Sequence, residues 1–167
     1  MRGFSTSTTI FLKKMNIFIV SMDTRKNVRA IVYRKIDQEY QFLLLFAARK
    51  QYWQNPQGGL EDDEDLSAAA KRETHEETDL PKSNLEVMCQ AAHSTSYNAV
   101  RLGRDIHVDL TAVAVRYTGP DLEIHLSEDE GHTDSKWCSY DEARSLLTLY
   151  PEQREAFEEV CKKLFDL

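Results

Sequence analysis

Apolar and polar positions alternate from Asn27 to Arg34, with Val28, Ala30 and Val32 on one side and Arg29, Ile31 and Tyr33 on the other. That period of two predicts a β-strand. Tyr40 to Ala47 carries the continuous run FLLLF, the mark of a strand buried on both faces, and the polar stretch Lys35 to Glu39 suits a hairpin turn despite lacking Asn-Gly. Phe18, Ile19 and Val20 predict a further short strand. Leu85 to Gln90 and Ile106 to Tyr117 also read as strands, and the polar segment His93 to Asp105 reads as an exposed connection between them. Helical patterns take the rest. One helix is expected over Leu66 to Thr78 with Asp65 as N-cap, and a second opens on the capping box Ser139 to Glu142 and runs through Leu147. Pro151 starts a last helix to about Phe165, whose Phe157, Val160, Cys161 and Leu164 recur at helical spacing and should pack on the sheet.

This order of strands and helices predicts one α/β domain over residues 25–167 with no internal repeat, as suits a chain of 167 residues. Residues 1–24 carry Arg2, Lys13 and Lys14 and no acid before Asp23. They read equally as a transit peptide, as sequence upstream of a true start at Met15 or Met22, or as a natural extension.

Charge narrows the partners. With 21 Lys and Arg against 28 Asp and Glu the net charge is -7, which argues against nonspecific duplex binding. Cys89, Cys138 and Cys161 form no C-x-x-C pair, so free thiols in a reducing compartment are expected. No apolar run is long enough for a membrane span, and a cytoplasmic protein is expected, or an organellar one if residues 1–24 are a transit peptide.

The chemistry concentrates between Gly58 and Leu80, GGLEDDEDLSAAAKRETHEETDL. On the predicted helix Glu73, Glu76 and Glu77 project from one face. Two carboxylates about 5 Å apart repel by roughly 3 kcal/mol at an effective dielectric of about 20, a strain that a proton or a cation relieves. Hard oxygen donors so clustered suit Mg²⁺, or else Mn²⁺. His75-Glu76-Glu77-Thr78-Asp79 is not a zinc H-E-x-x-H motif, because Asp79 replaces the second histidine.

Read from Gly58, the spacing to Glu64, Arg72, Glu73, Glu76 and Glu77 resembles the Nudix box G-x5-E-x7-R-E-U-x-E-E-x-G-U. Those six positions would coincide by chance at roughly one start in ten million, so the resemblance is specific. Two positions depart from it: Thr74 stands at an aliphatic position and Asp79 at the final glycine, where a slightly strained helix end is expected. The resemblance implies an α/β/α sandwich around a central mixed sheet, and hydrolysis of a nucleoside diphosphate linked to another moiety. It also implies a metal site at Glu73, Glu76, Glu77 and Gly58, a structural ion pair between Glu64 and Arg72, and a general base at Glu76, Glu73 or Glu130.

A narrower resemblance lies in Trp53 to Gly59, WQNPQGG, which is similar to the segment before the box in RNA 5′-pyrophosphohydrolases and dinucleoside polyphosphate hydrolases. It implies a dinucleoside polyphosphate or an RNA 5′ end as substrate, with Arg49, Lys50, Trp53, Gln57 and Tyr97 as candidate contacts. Solvated charges at Arg49 and Lys50, core packing at Trp53 and a solvent-exposed loop around Tyr97 are the plainer readings of the same residues. The region of Trp137 and the helical tail resemble equally the family's nucleoside triphosphate and pterin triphosphate hydrolases, and a Nudix-fold nucleotide-binding module is the non-catalytic alternative.

Overall fold

The computed structural model describes residues 6–13, 16–127, 129 and 131–165. Its strands are β1 (Thr6–Lys13), β2 (Asn16–Ile36), β3 (Glu39–Ala47), β4 (Tyr52–Gln54), β5 (Gln57–Gly59), β6 (Leu85–Arg101), β7 (Arg104–Tyr117) and β8 (His132–Cys138). Helices α1 (Leu66–Thr78), α2 (Tyr140–Leu146) and α3 (Pro151–Phe165) complete the fold. The strands form one sheet in the order β4-β3-β2-β7-β6, with β1 and β5 added to β2, and β8 to β3. β2 and β7 run parallel and their other pairings are antiparallel, so the sheet is mixed.

The period-two pattern of β2 decides which helix packs where. Val28, Ala30 and Val32 join Leu43, Leu45, Val113 and Val115 in a core capped by Ala69 and Ala70 of α1. Ile31 and Tyr33 fall on the opposite face with Phe42, Leu44, Ala112 and Ala114, beneath Ala143 of α2 and Phe157, Val160 and Cys161 of α3. The result is the expected α/β/α sandwich. Phe42 to Leu45 are fully buried because successive side chains of β3 feed the two cores in turn.

Two expectations need correction. The polar stretch His93 to Asp105 is not a loop: β6 continues through it to Arg101 and pairs with β7 as far as Arg101 opposite Arg104. The turn is Leu102-Gly103, both at positive φ, as a two-residue hairpin requires. Polar side chains hid the strand because the ladder is made by backbone groups. Likewise, β2 is not a strand over 27–34 with a separate short one at Phe18 to Val20. It runs unbroken from Asn16 to Ile36, paired with β1 over its first part and with β7 from Asp23 to Tyr33.

The local signals behave as expected. The Asp65 side chain caps α1 by accepting from the Ala68 amide at 2.8 Å, and Ser139 caps α2 through the Glu142 amide at 3.3 Å. Asp79 ends α1 in the left-handed region at φ 58°, the conformation the missing glycine would adopt without strain. Thr74 is tolerated at a fully buried position because its hydroxyl donates to the Ala70 carbonyl at 2.7 Å.

Candidate active site

The acid face of α1 meets the end of the sheet at β5. Gly58 pairs with Val28 and presents bare backbone to the helix, where the Glu73 carboxylate fills the space a side chain would need. A Cβ on Gly58 would lie 2.1 Å from Glu73 Cδ, so only glycine permits this approach. Glu73 and Glu77, one turn apart, are both buried, whereas Glu76 stands at the exposed edge.

Arg72 organises this cluster more widely than its spacing suggests. Its guanidinium donates to Glu64 at 2.8 Å, to Glu73 at 2.8 Å and to Glu76 at 3.0 Å, and also to the Gly59 carbonyl at 2.8 Å. It therefore lies among the face carboxylates rather than away from them. The Glu64 hydrogen bonds, followed by those to Glu73 and Glu76, hold its pKa well above the ordinary arginine value despite some desolvation. In return the Arg72 hydrogen bond lowers the pKa of Glu64.

Glu77 faces His132 at the start of β8, Oε1 to Nε2 at 3.5 Å, with both side chains buried. A cavity of about 260 Å³ opens beside this pair, lined by Arg49, Lys50, Gln54 and Gln57. The structure thus brings three of the candidate substrate contacts, Arg49, Lys50 and Gln57, to Glu77. Lys50 and Gln57 also line a second cavity of about 330 Å³, shared with Arg29, Tyr52, Tyr97 and Tyr150. Tyr97 reaches it because β6 continues as a strand. Trp53 joins neither cavity: it packs on Phe46 at 5.3 Å between ring centroids and borders a groove beside Leu146. Trp137 stacks on Tyr117 under the Arg34 guanidinium, which places it in the framework. Glu130 lies outside the described residues.

Three site residues were not foreseen from the sequence. His132 carried no ligand spacing, and the guanidinium of Arg25 packs against Gly59 through a contact that no local pattern announces. Arg29 did leave a trace: it shares its alternation with Ile31 and Tyr33, both core residues.

The donor set fits a hard divalent cation. Buried carboxylates at Glu73 and Glu77, the adjacent Glu76 and the bare backbone of Gly58 offer oxygen only, the chemistry Mg²⁺ selects. Among the described residues no three acidic, His or Cys side chains already converge on one point, and Arg72 holds Glu73 and Glu76. A bound cation would therefore share these two carboxylates with the guanidinium.

Comparison with known proteins agrees. The family model described as NUDIX domain matches residues 23–160. An RNA pyrophosphohydrolase of Dinoroseobacter shibae is 30% identical over 121 residues, 68% of this chain and 75% of that protein. The asymmetrical bis(5′-nucleosyl)-tetraphosphatase of Caenorhabditis elegans is 30% identical over 114 residues, 68% of this chain and 78% of that protein. Among solved structures, a C. elegans Ap4A hydrolase binary complex superposes with a TM-score of 0.68 at 25% identity, covering 86% of this chain and 99% of that one. Family match, sandwich fold and the acid-rich helix against a glycine strand converge: the chain belongs to the NUDIX family and is a Nudix hydrolase.

Proposed function

We propose that this protein is a Mg²⁺-dependent pyrophosphohydrolase acting on a dinucleoside polyphosphate or an RNA 5′ end. The observation that carries this reading is the shared wall of Lys50 and Gln57, which joins the cavity beside Glu77 to the tyrosine-lined cavity around Tyr97. A substrate with a diphosphate at one end and a further moiety beyond it fits two cavities so connected. The names of the relatives from D. shibae and C. elegans support the same two substrate classes.

In this reading Glu73, Glu76, Glu77 and the Gly58 carbonyl hold the metal, which when bound neutralises the diphosphate and lowers the pKa of water. Arg49 and Lys50 bind phosphate oxygens, with Lys50 positioned to reach a phosphate in either cavity. A carboxylate takes the proton of the attacking water as its oxygen bonds to phosphorus and the bridging P–O bond breaks. Glu76 is our first choice for this base because it is exposed, with Glu73 second. The three cysteines are free, with Cys138 and Cys161 buried, which suits a reducing, cytoplasmic compartment.

The test is a panel of diadenosine tetraphosphate, 5′-triphosphorylated RNA, nucleoside triphosphates, pterin triphosphate and nucleotide sugars, incubated with Mg²⁺ and resolved by mass. Diadenosine tetraphosphate or the RNA should turn over fastest, with no turnover in EDTA. Preferred cleavage of a nucleoside or pterin triphosphate would move the substrate class, and binding of one compound without cleavage would favour a nucleotide-binding module.

A further inference from the structure

The tyrosine-lined cavity has a charged floor. Arg29 sits on β2 opposite Gln57 of β5, one residue along from the Val28–Gly58 pair that borders Glu73. Neighbouring residues of a strand point to opposite faces, so Arg29 lies on the α2 and α3 side of the sheet while the acid helix covers the other. Only 6% of Arg29 is exposed. Its Nε donates to a neutral partner, Gln57 Oε1, at 3.2 Å, and among the described residues no carboxylate lies within ion-pair distance of it. Burial pushes the guanidinium down to about 10, against weaker raising effects from Tyr97, Tyr52 and Glu152.

A buried arginine carries a desolvation cost that a neutral amide does not offset and that an anion would. Around it stand a second cation, Lys50, and the hydroxyl-bearing Tyr52, Thr95, Tyr97 and Tyr150. Burial pushes the Tyr52 phenol up to about 12, so it stays protonated as a donor at neutral pH. The wall is rich in donors and cations, with Glu152 its one acid.

We propose that Arg29 and Lys50 form an anion subsite for a phosphate group beyond the diphosphate held at the acid helix. The inference deepens the hydrolase reading and rests on it for the source of that phosphate: a distal phosphate of the substrate, or free inorganic phosphate. Arg29 is then the specificity-determining residue that favours polyphosphates over diphosphates bearing a neutral moiety. The planar guanidinium, anchored through Nε by Gln57, directs its remaining donors as a fork toward phosphate oxygens.

Calorimetric titration of the full chain with inorganic tripolyphosphate, inorganic phosphate and adenosine, without divalent metal, reads the subsite apart from hydrolysis. Arg29→Met should weaken tripolyphosphate binding about 10- to 100-fold, as expected for loss of a charged hydrogen bond, and leave adenosine binding as in the wild type. Arg29→Lys should restore part of it, and Arg29→Met should melt no lower than the wild type. With Mg²⁺ present, the ratio of kcat/KM for diadenosine tetraphosphate over ADP-ribose should fall in Arg29→Met, mainly through KM. Inorganic phosphate that raises the wild-type KM for diadenosine tetraphosphate assigns the subsite to the substrate's distal phosphate; Arg29-dependent phosphate binding without effect on KM assigns it to free phosphate. Superimposable tripolyphosphate titrations of wild type and Arg29→Met overturn the proposal, whatever the protein hydrolyses. An equal loss of adenosine binding overturns it too, in favour of base recognition. Arg29-dependent tripolyphosphate binding by a protein that cleaves nothing in the panel would uphold the anion subsite and sink the hydrolase reading instead. Should Arg29→Met fail to fold, Arg29→Lys carries the same comparison, because it keeps the charge and loses the fork.

Discussion

Two arginines on opposite faces of one sheet, Arg72 half-buried and Arg29 buried, are partnered in opposite ways. Arg72 is surrounded by Glu64, Glu73 and Glu76, all within 3.0 Å, and its positive charge holds the acid helix together. Arg29 has a neutral glutamine and a ring of phenols, and among the described residues no carboxylate lies within ion-pair distance of it. The first arrangement is complete within the chain. The second is costly until an anion arrives, and a charge left in that state points to a ligand more strongly than one already paired.

The largest expected effect tests what the acid face is for. Glu76→Gln removes a proton acceptor while keeping shape, so kcat should fall by about 10² to 10⁴ with the fold and melting temperature preserved. Steady-state assays with Mg²⁺ measure this, and near-normal turnover would remove Glu76 from the role of base. Next come the arginines themselves, whose truncation should have opposite signs. Arg72→Met leaves three carboxylates facing one another and should cost about 3 kcal/mol of stability in denaturant unfolding, partly recovered by millimolar Mg²⁺. Arg29→Met should be neutral or stabilising by roughly 1 kcal/mol, and equal destabilisation by both substitutions would break the contrast.

The pH dependence sharpens it further. Because Arg72 lowers the Glu64 pKa, that pair contributes stability above the ordinary glutamate value of about 4.3 and loses it as pH falls through the depressed folded value. Acid unfolding of the wild type should show this loss, and Arg72→Met should lack it. The smallest effect belongs to the end of the acid helix. Asp79→Gly should stabilise by about 0.5 to 1 kcal/mol, since glycine adopts φ 58° without a Cβ penalty.

How much was legible follows from the distance over which each feature is encoded. Glu73, Glu76 and Glu77 share a face because helical geometry places them there, and Asp65 and Ser139 cap because a short side chain bonds an amide three residues on. The strand beyond His93 was hidden, because its partner is β7 and its side chains are polar on the solvent side. For Trp53 within WQNPQGG, core packing is the plainer reading beside substrate contact, and its position opposite Phe46 on β3 turns it toward α2.

The sequence by itself determined the three helices, the alternating faces of the central strands and the acid cluster, all products of local periodicity and spacing. Only the tertiary structure decided that Arg72 lies among the carboxylates, that His132 meets Glu77, and that Arg29 floors a cavity joined to the acid site through Lys50 and Gln57. Those contacts join residues far apart in the chain, and their energies depend on burial, which no window of sequence contains.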